Sequence, residues 1–523
     1  MRQQPDGSPG RDAGHTPSGL LLVLVLATLS CGLLTPRTQP LAANTLLLAI
    51  GTAAVALPLS IGLAVLLFRV ATPLRSVWIR LLAGLLFFPL YLHATGWNAG
   101  FGPLGWQTIW ADRVGEPWLS GWKAAIWLHA SAALPWATLI IGQSLRRSTP
   151  AEEAAALDTG ARGVLWNVVL PNSGGAILAA TLWIVATVST EMTISDLFQI
   201  RTYAEELYTG FALEPSGAAV LGAVLPGALA LGGLALAIAL AIQAHTAQWQ
   251  DRQTSLGSPR LLPCPWWAAC LAPAIFAICY LLPVASLIWQ AGVRRSGWSL
   301  AAASHQIATS FSLFHRELFW SVTIAALAAT LSLLLATPLA IAATRRGRGR
   351  VAALSITAVG LATPGPLCAL AVLWLLNRPG LALLNDRTVA APVLAITLRC
   401  LPWALLILWH AFQTLPSTWI EAARVDGAGR LRAALRLWVP LRRESLGIAW
   451  LVCAALAIGD LAASILVMPP AVETAAIRLF GLIHAGVREQ EAGLGIAILV
   501  VCGALAALTL TLTRFLRDGR RFD

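Results

Sequence analysis

The sequence predicts an all-α integral membrane protein with about twelve transmembrane helices, arranged as two parallel six-helix repeats. Hydrophobic residues make up 57% of the 523 residues and charged residues only 11%, whereas soluble domains carry roughly 25% charge. Apolar runs of about 20 residues, long enough to cross a ~30 Å hydrocarbon core, recur along the chain. A heptapeptide of the first half also returns in the second half, which indicates duplication.

The order of apolar segments gives the predicted spans. They lie near 18–35, 41–68, 78–97, 121–144, 174–199, 217–244, 265–290, 319–344, 351–376, 388–412, 446–468 and 491–514. With the N-terminus inside, loops on that side carry 24 of the 36 Lys and Arg residues, the opposite loops carry 11, and Arg399 lies within a span. By the positive-inside rule, both termini are predicted to be cytoplasmic in a multi-pass cell-membrane protein, which would be the inner membrane of a two-membrane organism.

The first span allows two interpretations. Thr28-Leu29-Ser30-Cys31 loosely resembles a lipoprotein cleavage site, and a charged start before an apolar stretch is also typical of a signal peptide. However, the polar lead before the span is long, and Thr28 stands where such sites usually carry Leu. We therefore favour an uncleaved first helix.

The repeated heptapeptide divides the chain. Leu134–Ile140 reads LPWATLI, and in the second half Leu401–Ile407 reads LPWALLI. The polar stretch 246–262 is a predicted cytoplasmic linker between a first domain, 1–245, and a second domain, 263–523. Six spans on each side give both halves the same orientation, a parallel repeat known among transporters.

Each copy of the heptapeptide is followed by a similar cytoplasmic loop, 146–173 in the first half and 414–443 in the second. The matched pairs, which share one constant spacing without a gap, are Thr149/Thr418, Glu152/Glu421, Gly160/Gly429 and Pro171/Pro440. Thr-x-x-Glu is a capping box that satisfies free backbone donors in the first turn of a helix. The alanines that follow keep the helix thin, so that a partner can approach closely, and a glycine permits a turn into the next segment.

The second loop resembles the coupling motif of binding-protein-dependent ABC importer permeases. The matching residues are Glu421, Ala422, Ala423, Gly427 and Pro440. The resemblance implies that this short helix docks into a groove of a cytoplasmic ATPase and transmits its closure to the spans. It also implies one permease domain per half, two copies of the ATPase, and an extracytoplasmic solute-binding protein as partners.

The first loop departs from this motif. In the gapless register Asp158 occupies the glycine position, and Gly160 follows two residues later. Beginning instead at Glu153 gives Glu153-Ala154-Ala155, but with Thr159 at the glycine position. Glu152, Glu153, Ala154, Gly160 and Pro171 are therefore the candidate coupling residues of an irregular first copy.

The energy source is expected in another chain. The only lysine is Lys123, so no phosphate-binding Gly-x-x-x-x-Gly-Lys loop exists here. The protein is accordingly predicted to be a transport subunit and not an enzyme, with ATP bound by the partner ATPase. The scattered His and Cys residues predict no metal site, and the concentration of Arg in loops on one face explains the net charge of +12 without nucleic acid.

Three charged residues within predicted spans are candidates for the transport pathway. Glu191 follows Pro171 at the same spacing as Asp460 follows Pro440. Carboxylates at membrane depth are costly, and a functional role facing a wet cavity is their default interpretation. Arg399 aligns with Ala132 of the first half, and it either pairs with one of the acids or supports packing.

The cargo prediction depends on a second resemblance. Two fused permease domains, together with Asp460–Pro470 and the following Glu473–Arg478, resemble ferric-iron importers. We therefore expect ferric iron, with thiamine, a polyamine or an oxyanion as alternatives within the same class. An ion-coupled secondary transporter also fits parallel repeats with acids in the spans, but it does not require docking helices.

Overall fold

The computed structural model describes residues 36, 38–112, 117–145, 160, 163–213, 227, 230, 233, 261–294, 297–344 and 347–519. Regular structure in this part is almost entirely helical. The α-helices are α1 Thr38–Phe68, α2 Arg75–Leu85, α3 Leu90–Phe101, α4 Trp106–Trp110, α5 Gly121–Leu145, α6 Leu170–Asn172, α7 Gly174–Thr190, α8 Thr193–Leu197, α9 Tyr203–Leu213, α10 Trp266–Phe276, α11 Leu282–Gly292, α12 Leu300–Leu313, α13 His315–Ala343, α14 Arg348–Ala362, α15 Gly365–Leu376, α16 Ala382–Arg387, α17 Ala390–Gln413, α18 Ser417–Val425, α19 Arg430–Ala433, α20 Val439–Leu441, α21 Arg443–Ile458, α22 Ala475–Ala485 and α23 Arg488–Gly519. π-Helical turns cover Leu165–Val169, Ala277–Leu281 and Ala434–Trp438, and β1 Val293–Arg294 pairs antiparallel with β2 Gly297–Trp298.

The protein is a multi-pass membrane protein. Within the described residues, six helices are long and apolar enough to cross a bilayer, or up to nine if each sharply bent helix pair counts as one span. The six are α1, α5, α10 joined to α11 through a π-helical turn, α13, α17 and the first 24 residues of α23. Of the predicted spans, 18–35 lies outside the described residues, as does nearly all of 217–244, so the expected twelve are not confirmed.

Two predicted spans are sharply bent instead of straight. α2 meets the segment Leu90–Trp110, which contains α3 and α4, at 102°, and α14 and α15 meet at 111°. Pro89 and Pro364 stand immediately before α3 and α15 with nearly identical extended backbones, φ −63 and ψ 148 against φ −60 and ψ 148. Proline disfavours the helical conformation of the residue before it, which explains why each helix ends short of this point.

Two other predicted spans end early. Residues 174–199 and 446–468 were each expected to form one helix, but α7 ends at Thr190 and α21 ends at Ile458. The chain then continues as short turns through apolar sequence, including the non-helical run before α22. Hydropathy overestimated both helices because it cannot distinguish a membrane helix from an apolar segment buried among other helices.

The best-buried spans lie at the centre of the molecule. In an apolar 18-residue stretch of each helix, 67% of the residues are buried in α5 and 61% in α17, against 39% in α1 and in α13. α1 packs against α5, and α13 packs against α17. The two halves also interlock, because Phe87, Tyr91 and Leu92 of the first half belong to the core that α13, α17 and α21 form. A cavity lies where these inner helices meet.

Candidate functional site

A cavity of about 240 Å³ lies between the two halves. The first half contributes the α2–α3 bend, one face of α5 and the end of α7, whereas the second half contributes the end of α14, one face of α17 and the end of α21. The polar and aromatic residues that line it include His129, Trp136, Trp183, Thr187, Thr190, Glu191, Arg399, Trp403 and Asp460. A polar cavity inside a helical membrane protein is a candidate pathway for cargo.

Glu191 occupies the break that follows α7. Its backbone is extended, with φ −97 and ψ 134. Its Oε1 accepts the N–H of Thr193 at 2.6 Å, and its Oε2 accepts the N–H of Ile194 at 3.0 Å. The carboxylate therefore caps the first turn of α8, in the way that side-chain oxygens satisfy free donors at a helix start. No proline is needed at this break because the side chain itself stabilises it.

His129 is the ionisable neighbour of Glu191. It lies on α5 with 4% of its side chain exposed, and its Nε2 is 3.8 Å from Oε2 of Glu191, whose side chain is 18% exposed. The distance exceeds hydrogen-bonding range, and His129 Nε2 has no hydrogen-bond partner among the described residues. The site thus contains a polar nitrogen and a carboxylate that face each other across a gap.

Asp460 occupies the break that follows α21. Its Oδ1 accepts the N–H of Ala463 at 2.8 Å, which caps a turn as Glu191 does. Its Oδ2 lies 3.4 Å from Nε of Arg399, and Nη1 of Arg399 also donates to the carbonyl of Thr363 at 2.9 Å. The Arg399 side chain therefore connects the end of α14, the middle of α17 and the end of α21.

Three tryptophans form one wall of the cavity. Ring centroids are 5.1 Å apart for Trp136 and Trp183, 5.0 Å for Trp136 and Trp403, and 4.6 Å for Trp183 and Trp403. Trp136 and Trp403 are the tryptophans of the repeated heptapeptide, so the two copies meet at the centre of the molecule. These centroid separations are typical of interacting aromatic rings.

The structure brings together all three pathway candidates. Glu191 and Asp460 were expected inside straight helices, but they lie at helix breaks. Of the two possibilities for Arg399, the structure shows pairing with Asp460. Sequence reasoning did not identify His129 or Trp183 as cavity residues, although Trp183 stands eight residues before Glu191, a spacing that keeps two residues on one broad face of a helix.

The candidate coupling segment of the second half is accessible. On α18, Glu421 and Ala422 are exposed and Ala423 is half-buried. Large apolar side chains around them also face outward. Their exposed fractions are 51% for Trp419, 88% for Val425, 73% for Leu431 and 60% for Leu435. α18 begins at Ser417, one residue before the Thr418 that the capping box predicted as its cap. Helix starts are defined only to one or two residues.

Glycine determines how this segment turns. Gly427, two residues after α18, has φ +69, a left-handed conformation that only glycine adopts at little cost. Gly160 has φ +72, although the gapless register places it opposite Gly429. The π-helical turns that follow, Leu165–Val169 and Ala434–Trp438, keep that gapless register. Relative to them, the positive-φ turn comes two residues later in the first copy.

The structure describes only part of the candidate coupling segment of the first half. Glu152, Glu153 and Ala154 lie outside the described residues. Pro171 is exposed within α6, and Pro440 lies within α20. In the second copy Trp438 is buried, and its ring packs edge-on against Phe412 at 5.4 Å. That contact fixes the coupling segment to the end of α17, the helix that carries Arg399 and Trp403.

Comparison with known proteins gives one informative relative. The chain is 28% identical over 195 residues to the spermidine/putrescine transport system permease protein PotC of Haemophilus influenzae, which covers 37% of this chain and 74% of that protein. No protein-family model matches the chain. The similarity confirms the resemblance to an ABC importer permease. The expected ferric-iron cargo has no support, because the relative is named for spermidine and putrescine.

Proposed function

Because the chain resembles an ABC importer permease, we propose that it forms the membrane pathway of a binding-protein-dependent importer that carries a polyamine. The observation that carries this proposal is the cavity between the two halves, which combines two carboxylates, one guanidinium and three indoles. With His129 neutral, these groups leave one excess negative charge. Such a cavity suits a flexible organic cation, whose ammonium groups favour carboxylates and aromatic faces.

The geometry also supports a coupled pathway. Arg399, Trp403 and the end of α17 lie on one helix, and that end contacts the coupling segment through Phe412 and Trp438. A movement imposed on α18 would therefore reach the cavity wall through one rigid element. We propose that the two halves are six-helix permease domains of the same orientation with both termini cytoplasmic. Glu152, Glu153, Ala154, Gly160 and Pro171 are proposed as the first coupling loop, and Glu421, Ala422, Ala423, Gly427 and Pro440 as the second.

The exposed apolar residues of the second loop favour a protein partner. Trp419, Val425 and Leu431 are all more than half exposed, and exposed apolar patches on a cytoplasmic face mark interaction sites. We propose that an ABC ATPase covers this surface, with a second ATPase copy on the first loop and a solute-binding protein on the opposite face. ATP would be bound and hydrolysed by the ATPase alone.

Reconstitution tests the proposed function. The chain, an ATPase dimer and a binding protein would be assembled in proteoliposomes with ATP on the ATPase side, and uptake of radiolabelled putrescine and spermidine would be measured. We expect uptake that requires both partners and ATP, and none from the chain alone. Uptake driven by a proton gradient alone would refute the importer class. ATP-driven uptake of thiamine but not of polyamines would refute only the cargo.

A substitution in the coupling helix tests the link to the ATPase. Ala422→Trp places a large ring on the exposed face of α18, and we expect uptake to fall at least about tenfold because the ATPase can no longer approach. Ala422→Ser, which changes the volume little, is the matched control. The amount of protein in the membrane fraction checks insertion, and the thermal stability checks folding. Wild-type uptake by a well-inserted Ala422→Trp protein would contradict the docking role.

A further inference from the structure

The two acids of the cavity differ in how their charge is balanced. Asp460 has a permanent cation in ion-pair contact, since Arg399 Nε lies 3.4 Å from Oδ2. For Glu191, the ion-pair partner within the described residues is His129, at 3.8 Å. A histidine is neutral or charged according to its surroundings, whereas arginine is always charged. While His129 is neutral, the excess negative charge of the cavity therefore belongs chiefly to Glu191.

The buried nitrogen of His129 is a second, independent observation. Buried polar atoms almost always have a hydrogen-bond partner, yet Nε2 of this 4% exposed side chain has none in the part of the chain that the structure describes. It faces Glu191 Oε2 across 3.8 Å. One ammonium nitrogen can lie about 2.9 Å from both atoms at once, so a protonated amine would satisfy the histidine and neutralise the carboxylate together.

We propose that Glu191 and His129 form the subsite that takes one protonated amine of the cargo in transit, while Asp460 and Arg399 hold the second-half helix break in position. This inference rests on the proposed polyamine function. In this subsite His129 has its proton on Nδ1, so that Nε2 accepts an N–H from the ammonium. The second contact to the ammonium comes from Glu191 Oε2, which keeps its bond to the N–H of Ile194.

The neighbouring residues extend the subsite. Trp183 lies on α7, eight residues before Glu191, and lines the same cavity, about 12 Å away along the helix axis. Its indole meets those of Trp136 and Trp403. An apolar methylene chain between two amines would lie against these rings, and a second ammonium would gain a cation–π contact there. The arrangement favours a diamine over a single small cation.

The alternative explanation is a closed ion pair. A protonated His129 would itself neutralise Glu191, and the cavity would then need no cationic cargo at this point. The two explanations differ in what happens when Glu191 loses its charge. A cargo subsite predicts a loss of cation uptake, whereas a structural pair predicts lower stability with little effect on uptake by the protein that remains folded.

The first experiment compares carboxylate-to-amide variants in the reconstituted importer. For Glu191→Gln we expect putrescine uptake per ATP hydrolysed to fall at least about tenfold. The paired substitution Arg399→Gln with Asp460→Asn removes one charge of each sign, and we expect its uptake to fall less than about threefold. Glu489→Gln, on a half-exposed acid outside the cavity, should behave as wild type. Unchanged uptake per ATP in Glu191→Gln, or an equal loss in the paired variant, would overturn the subsite.

A second variant keeps the inference testable if Glu191→Gln does not fold. Thr187 lines the cavity one turn before Glu191, and Thr187→Lys would supply a tethered ammonium to the carboxylate. We expect uptake to be blocked by Thr187→Lys and at least half retained by Thr187→Met, which has similar length without charge. Equal uptake by the two variants would overturn the role of Glu191. Putrescine uptake by the wild-type protein is measured separately, because a wild-type protein without such uptake would refute the proposed cargo itself.

Discussion

The break after α7 and the break after α21 each have a carboxylate that caps the following turn, but the two carboxylates have different charged neighbours. In both, a carboxylate accepts backbone N–H groups of the residues that follow, Thr193 and Ile194 for Glu191 and Ala463 for Asp460. Only the second-half break adds a guanidinium in direct contact, from Arg399. In the register of the repeated heptapeptide, the matching position of the first half is Ala132, which lines the same cavity.

The difference shows which part of this arrangement ends the helix and which part balances the charge. A carboxylate cap is enough to end a membrane helix, because the first half ends α7 in this way without an arginine in ion-pair contact among the described residues. The guanidinium therefore has another effect, which is to bind the end of α14 and the end of α21 to α17. Close packing reinforces this side, since a Cβ added to Gly365 would lie 2.5 Å from the Cβ of Ala462.

The largest expected effect comes from making the first half resemble the second. Ala132→Arg would place a cation near Glu191, at the first-half position that corresponds to Arg399 in the second half. We expect polyamine uptake to fall at least about tenfold, equal to about 1.4 kcal/mol, because the cavity would lose its excess negative charge. Uptake in proteoliposomes measures this, with Ala132→Met as the uncharged control. Equal uptake by the two variants would remove the charge difference as an explanation.

Removing the arginine of the second half is expected to affect stability more than transport. Arg399→Ala leaves Asp460 largely buried, with 10% of its side chain exposed, and without its cation. Breaking one partner of a buried pair costs about 3 kcal/mol, so we expect a clearly lower unfolding temperature in detergent. The double variant Arg399→Ala with Asp460→Ala should recover much of this loss. If the single variant melted like wild type, the pair would not hold the break.

The smallest effect concerns the turns of the coupling loops. Gly160 and Gly427 both have positive φ, +72 and +69, despite their different places in the repeat. Alanine in this conformation costs about 1 kcal/mol, so we expect Gly160→Ala and Gly427→Ala to reduce coupled uptake by similar, roughly twofold amounts. Gly429→Ala, at a glycine without positive φ, is the matched control. A much larger effect at one turn would show that the loops couple unequally.

Local patterns in the sequence predicted part of this arrangement. The matched spacing of the two halves singled out Glu191 and Asp460, and Arg399 was singled out as a charged residue within a predicted span. Pro89 and Pro364 were available signals for the sharp bends. The break at Glu191 has no such signal, because it depends on a side chain that bonds its own following backbone in competition with the helix.

The partners of the charged residues could not be predicted from the sequence, because they are long-range contacts. Arg399 and Asp460 are 61 residues apart in sequence, and His129 and Glu191 are separated by a similar length of chain. Such pairs form only when whole helices pack, so composition and periodicity leave their partners open. The ferric-iron prediction depended on a short sequence resemblance in the run from Asp460, whereas the relative found by comparison is named for spermidine and putrescine.

The lengths of the outer helices determine how this protein lies in its bilayer. α1 and α13 contain 31 and 29 residues, and at 1.5 Å per residue they are about 46 and 43 Å long. A hydrocarbon core is only about 30 Å thick, so each helix has to incline steeply, or extend into the headgroup layer, to keep its apolar side chains out of water. A thinner or thicker lipid mixture would change that inclination, and the inner helices α5 and α17 packed against them would follow.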